Sequence, residues 1–223
     1  MSTQRHRLTL SWARATRMCA LTATLLGALT PSAQATSPAP GPLATSLVAA
    51  EGYAYGFPLV LMAETLAAAT GPTRTCGQEG NVNEFTHLFS TPGPEFRTVV
   101  RPNVDTLYSL AFLDLRSGPQ LLPMPAVSRR SLLMALLDAW SNNFAGLGTP
   151  SHGEQAGRYM IAGPGWAGPT PPGYTRVDSP THLVWVIGRT EVRGPDDVAP
   201  VNAIQRQYVL RPLSGVRPVP ETT

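Results

Sequence analysis

The chain reads as an α+β protein, a mainly antiparallel β-sandwich with N-terminal and C-terminal helices. Three features predict it. An alanine-rich segment from Leu43 to Ala69 keeps Leu43, Leu47, Ala50 and Ala54 on one helical face. From Thr98 onward, short apolar runs are separated by Gly/Pro turns, as in strands. Gly194-Pro195-Asp196-Asp197 then reads as a late helix start, with acids at the positive end of its dipole. Strands lying between terminal helices favour α+β layering over a βαβ alternation.

The first 35 residues are predicted to be a signal peptide. Arg5, Arg7, Arg14 and Arg17 form a basic opening, and Met18 to Thr30 is an apolar run too short to span a bilayer. Ala33-Gln34-Ala35 offers a small-x-small cleavage pattern, with cleavage after Ala35. Cys19 follows a poor lipoprotein motif and reads as an apolar signal residue. The expected organisation is a signal at 1–35, a linker at 36–42, one domain at 43–217 and a tail at 218–223. A periplasmic or secreted location is expected from it, with no transmembrane segment in the mature chain.

Charge agrees with this division. All 17 basic residues are arginine, and four belong to the signal. The other 13 face 14 acids, so the mature chain carries −1 rather than the +3 of the whole. No basic stripe remains for nucleic acid. The lack of lysine excludes Schiff-base chemistry, a P-loop lysine and a Ser-x-x-Lys pair. Cys76 is alone after cleavage, so no disulfide closes within the mature chain. Charged residues make up only 14% of the chain against a usual quarter. So little charge implies an extensive core or an apolar surface offered to a partner.

Along the domain, Gly56-Phe57-Pro58 is expected to break or kink the first helix, and Gly71-Pro72 to end it. A polar loop covers Thr73 to Asn83, and Glu84 to Leu88 is ambiguous. Tyr108, Leu110 and Phe112 alternate with Leu107, Ser109 and Ala111 as a strand, turned by Ser117-Gly118-Pro119. Gln120 to Met124 is a short strand. Ser131 to Ala139 is continuously apolar, as for a strand buried on both faces. Arg158 to Ala162, Thr175 to Val177 and Leu183 to Thr190 are further strands. Val201, Ile204 and Tyr208 mark the buried face of the last helix.

Some motif matches carry no chemistry. Gly163-Pro164-Gly165-Trp166-Ala167-Gly168 fits the dinucleotide pattern formally, but Pro169, Pro171 and Pro172 come next, where that motif must open a helix. His87, His152 and His182 lack a metal-ligand spacing. No metal and no cofactor is expected, and no nucleophile-elbow pattern is present.

A polar group in an apolar region stands out instead. Arg101, Asn103, Asp105 and Tyr108 lie close in sequence, and Asp138 ends an apolar run beside Trp140, Asn142 and Asn143. A guanidinium fork suits carboxylate or phosphate. Indoles beside a few convergent polar groups suit a small-ligand pocket. The expected ligand-binding set is therefore Arg101, Asn103, Asp105, Tyr108, Asp138, Trp140 and Asn143, gathered near Trp166 and Trp185. The bland alternative is an Arg101–Asp105 ion pair tying a loop to the sheet, with Trp185 as core. Arg189 is balanced between an ion pair and a contact at the rim.

The blocks Tyr53 to Met62, Val100 to Tyr108, Leu136 to Trp140, Gly163 to Trp166 and Ser179 to Arg189 resemble the bacterial family called domain of unknown function 1254. The likeness runs from about Tyr53 to Leu213. It implies an exported bacterial protein and a second β-rich module, domain of unknown function 1214, joined to the first in one molecule. It also implies a role with anionic small molecules such as phosphate esters, and transfers no catalytic residue. The chain departs from the pattern twice: it ends at Thr223 before such a module, and His182 stands where Asn is expected. Three functions compete: an anionic-ligand binding domain, an ester or phosphoester hydrolase using Asp105 or Asp138 as base, and a docking partner of a separately encoded second module.

Overall fold

The computed structural model describes residues 41–71, 80–97 and 100–215. The expected signal peptide and nearly all of the linker, Cys19, Cys76 and the tail lie outside the described residues. Contacts divide the chain into Met1–Ser46 and Leu47–Thr223. Of the first unit, 41–46 open a helix, where the Thr45 and Ser46 hydroxyls donate to the carbonyls of Gly41 and Pro42. The second unit holds the rest of that helix and every described strand.

Helix α1 spans Pro42–Thr70 and runs through Pro58 without a break. Of the break or kink expected at Gly56-Phe57-Pro58, the break does not occur. An interior proline removes one donor and strains one turn, at about 3 kcal/mol. A break would instead leave the unpaired groups of two new helix ends. Leu59, Leu61, Met62, Ala63 and Glu64, which follow the proline, are good helix formers and favour the continuous form. Gly71 closes the helix, its N–H donating to Ala67 at 2.7 Å.

The strands form two sheets. The first orders β1 (Thr86–His87), β2 (Thr106–Asp114), β8 (Leu183–Glu191), β4 (Leu132–Leu137) and β5 (Asn143–Gly148), all antiparallel. The second orders β7 (Thr175–Asp178), β6 (Gly157–Ala162), β3 (Gln120–Met124) and β9 (Arg211–Pro212). Its β6–β7 pair is parallel. Short helices α2 (Thr149–His152) and α3 (Val198–Gln205) complete the fold. The class is therefore α+β, as the sequence predicts.

Alternation along the strands places the core between the sheets. Ala111, Leu113, Met134, Leu136, Val184 and Val186 come from the first sheet. Leu122, Met124, Tyr159 and Ile161 meet them from the second. The apolar run Leu132–Leu137 is not buried on both faces. Leu132, Met134 and Leu136 are sealed while Leu133, Ala135 and Leu137 are half-buried. Among the described residues, α1 packs on the outer face of this sheet through Met62, Leu66 and Ala69, which meet Phe112 of β2 and Leu183 and Trp185 of β8. Gly188 is required by close approach: an added Cβ would lie 2.5 Å from Met134 Sδ and 2.7 Å from the Ser109 carbonyl.

Candidate functional site

The register decides whether the predicted site residues meet. Thr106 pairs with Glu191, so Arg101, Asn103 and Asp105 lie beyond one end of the first sheet. Leu137 pairs with Trp185, so Asp138 and Trp140 lie towards the other end. Six residues of β8 separate these points, roughly 20 Å at a strand rise of about 3.3 Å. The cleft expected from Arg101, Asp105 and Asp138 together is not formed. Nor do the indoles converge. Trp185 stacks on Phe112 with centroids 5.5 Å apart, and Trp140 meets Tyr55 at 4.8 Å. Trp166 joins Leu121, Met160 and Ala162 on the far face of the second sheet.

Most of these polar residues build turns. Asn103 Oδ1 accepts the Asp105 N–H at 2.7 Å, and its Nδ2 donates to Thr106 Oγ1 at 2.9 Å. That is an Asx turn leading into β2. Arg101 and Asp105 are exposed and form no ion pair among the described residues. Asp138 is only 5% exposed. Its carboxylate accepts the N–H groups of Trp140 and Asn142, each at 2.9 Å, and Asn142 Nδ2 at 3.2 Å. It holds the β4–β5 turn, where Ser141 takes a positive φ of 66°. Asn143 is exposed at the start of β5. Arg189 places its guanidinium 5.6 Å from the Tyr108 ring centroid, a cation–π contact rather than an ion pair.

The Glu191 end carries a charge cluster that sequence reading missed. Arg130 grips both carboxylate oxygens of Asp197 at 2.7 Å, and Arg193 Nε meets Glu191 at 2.7 Å. The Arg130 hydrogen bonds pull the Asp197 pKa down to about 2. Distant acids and arginines meet here only because β8 feeds the turn into α3, which no local spacing reveals.

A second unpredicted group lies under β1. His87 Nδ1 is 2.9 Å from Ser109 Oγ, and Gln205 Nε2 donates to that hydroxyl at 3.2 Å and to the Tyr108 carbonyl at 2.9 Å. Burial, then the nearby Arg206 charge, lower the His87 pKa, favouring neutral imidazole. A Ser–His contact suggests a nucleophile and base. Ser109 is sealed at 0% exposure, so this pair ties β1, β2 and α3 together. Beside it, Tyr208 hydrogen-bonds Thr190 at 2.9 Å, and burial raises the phenol to about 12.

Two cavities flank the end of α1. One of about 100 Å³ is lined by Thr65, Asn81, Glu84, Phe112 and Trp185, among others. Another, of about 320 Å³, lies between Leu66, Val82, Leu183 and the Asp114–Arg116–His182 group. Arg116 is already held by Asp114 through both Nε and Nη2, which lowers the Asp114 pKa. The described residues contain no cluster of three metal-ligating side chains.

The largest unsatisfied feature is α1 itself. Leu47, Val48, Tyr53, Tyr55, Phe57, Val60 and Leu61 are between 47% and 73% exposed. By length and composition the helix is apolar enough to cross a membrane, and little of it is covered. Apolar residues point from it in every direction, unlike the single stripe of a surface helix.

Comparison with known proteins gives the fold a precedent. No curated protein matches the chain. The crystal structure of the VPA0106 protein from Vibrio parahaemolyticus is similar, with a TM-score of 0.58 and 22% identity. The match covers 78% of this chain but only 41% of that one. Residues 82–212 match the family described as "Protein of unknown function (DUF1254)", and the chain belongs to that family.

Proposed function

We propose that this domain is one half of an exported two-part protein, and that its role is to dock through α1 on a second module. The exposed apolar surface of α1 is the observation that carries this reading. A monomeric soluble domain rarely leaves so large an apolar surface in water. The solved relative supplies a reason to look for a second module, since most of its length lies outside the matched region. On this reading α1 is anchored by Met62, Leu66 and Ala69 and presents its preceding turns to the partner. A membrane is the rival occupant, and a single experiment separates the two.

The test is native mass spectrometry of the tagged chain isolated from its producing cell. The expected result is a one-to-one complex with a polypeptide resembling the remainder of the Vibrio protein. Replacing Leu47, Val60 and Leu61 together by Ser should abolish it. A wild-type chain that is always alone, or held only by lipid, contradicts the proposal. Export is tested separately by intact mass, with a mature chain beginning at Thr36 as the expected result.

The anionic-ligand reading has narrower support. Arg101 is exposed and has no ion-pair partner among the described residues, but Asp138 and Trp140 lie too far away to share a ligand with it. Loss of a phosphate-induced melting shift in Arg101→Ala, with no loss in Asp138→Asn, would restore this reading in reduced form.

A further inference from the structure

The larger cavity beside α1 is apolar on one side and polar on the other. Leu66 at the anchored end of α1, Val82, and Leu183 at the start of β8 form its apolar walls. Asp114, Arg116 and His182 form the polar side. Its volume of about 320 Å³ falls at the lower end of the range for small-ligand sites, about 300–1,000 Å³. The polar side is held from several directions. Asn83 takes a positive φ of 64°, uncommon outside glycine. Its N–H donates to the Phe112 carbonyl at 2.7 Å, and its Oδ1 accepts the Asp114 N–H at 2.9 Å. The Leu115 N–H donates to the His182 carbonyl at 2.9 Å. Gly163 leaves room for the His182 ring, since a Cβ there would lie 2.9 Å from Nδ1.

Donors and acceptors are unequally used here. Both Asp114 oxygens accept from Arg116, through its backbone N–H, Nε and Nη2. Arg116 Nη1 has no hydrogen-bond partner among the described residues, and neither has either ring nitrogen of His182. A guanidinium can only donate, and an imidazole keeps at least one N–H in either protonation state. The cavity therefore offers spare donors beside apolar walls, while its carboxylate is already engaged. We propose that it binds a small monocarboxylate with an apolar body. The spare donors of Arg116 and His182 take the carboxylate, and Leu66, Val82 and Leu183 take the alkyl or aryl part. Two oxygens in one plane suit donors of this kind. A phosphate dianion would bring a second charge towards Asp114 and gain nothing from the apolar walls. The site lies at the Asp114–Leu183 end of β2 and β8, opposite the Thr106–Glu191 end beyond which Arg101 lies. It uses the anchored end of α1 and does not depend on whether the preceding turns dock.

Calorimetric titration of the purified chain with octanoate tests the proposal. One octanoate per chain is expected. A charge-assisted hydrogen bond is lost in Arg116→Gln, or when octanamide replaces octanoate, and either change should weaken binding about tenfold. Arg101→Ala should bind octanoate as the wild type does. No binding of octanoate, equal affinity for octanamide, unchanged affinity in Arg116→Gln, or displacement of octanoate by equimolar inorganic phosphate overturns the proposal. The exposed turns of α1 can take up an alkyl chain without its headgroup, so methyl NMR of the wild type locates the probe. Octanoate-induced shifts at Leu66, Val82 and Leu183 support the site, and shifts confined to Leu47, Val60 and Leu61 refute it. That reading needs no variant and stands if Arg116→Gln misfolds.

Discussion

The two parts of α1 are both apolar and have opposite surroundings. In the last turns Met62 and Ala69 are 2% and 7% exposed against Phe112 and Trp185. In the preceding turns Tyr53, Tyr55 and Val60 stand 60% exposed or more. A helix apolar on all sides is ordinarily covered on all sides. The contrast teaches that helix formation and burial are separate events in this chain. Alanine content forms α1, and only its final turns find a sheet to rest on.

The sharpest way to break this comparison is to truncate one side chain from each part. Met62→Ala should cost the isolated domain about 2–5 kcal/mol, the range for a buried methionine. Leu61→Ala, at a position 52% exposed, should change stability by under about 0.5 kcal/mol. Urea denaturation measures both, and equal losses would show that the α1 surface is covered within the domain itself.

The polar residues divide in the same way. Asp138→Ala leaves the N–H groups of Trp140 and Asn142 without their acceptor and should cost about 2–3 kcal/mol. Asp138→Asn retains one acceptor oxygen and should cost less than the alanine. Arg101→Ala, at an exposed position with no ion-pair partner among the described residues, is expected within about 0.5 kcal/mol of wild type. If Arg101 proved the costlier of the two, the assignment of Asp138 to the turn would be wrong.

These contrasts show what is legible in the sequence. The strands Thr106–Asp114, Gln120–Met124 and Leu183–Glu191 are readable to within a residue or two at their ends, because alternation and flanking Gly/Pro turns act locally. β5 is not. Two glycines and no β-branched residue make it a poor strand by propensity, and it forms because β4 offers a ladder. Leu132–Leu137 reads as buried on both faces because the incomplete cover by α1 is a tertiary fact. The polar residues stand out in the sequence, but their grouping does not, since sequence proximity says nothing of which end of β8 each reaches. Asp138 resembles a site residue for a physical reason. A buried carboxylate that accepts three hydrogen bonds to hold a turn has the same sequence appearance as one that meets a ligand.

Titration at the other end of the sheet should give effects smaller than those of truncating Met62 or Asp138. Tyr208→Phe removes the hydroxyl bonded to Thr190 and should cost about 1 kcal/mol at neutral pH. The wild-type phenol ionises near 12 when folded, above its ordinary value of 10. Burial of the neutral ring therefore stabilises the fold fully below pH 10 and loses effect as pH rises through 12. The phenylalanine variant should lack that part of the alkaline transition. Asp197 has the opposite sign. Its folded pKa of about 2 lies below the usual 3.8, so its pairing with Arg130 stabilises above about pH 4 and fades as pH falls through 2. Asp197→Asn should flatten the acid unfolding curve between those values.

The exposed turns of α1 are tested most directly by cysteine labelling in the producing cell. Val48→Cys and Val60→Cys are placed singly in a Cys76→Ser background and treated with a water-soluble maleimide. If a second module covers α1, both react slowly in the cell and in the soluble complex, and rapidly once the domain is purified alone. Equal, rapid labelling in all three settings, or protection that tracks the membrane fraction, would contradict the docking of this helix on a protein partner.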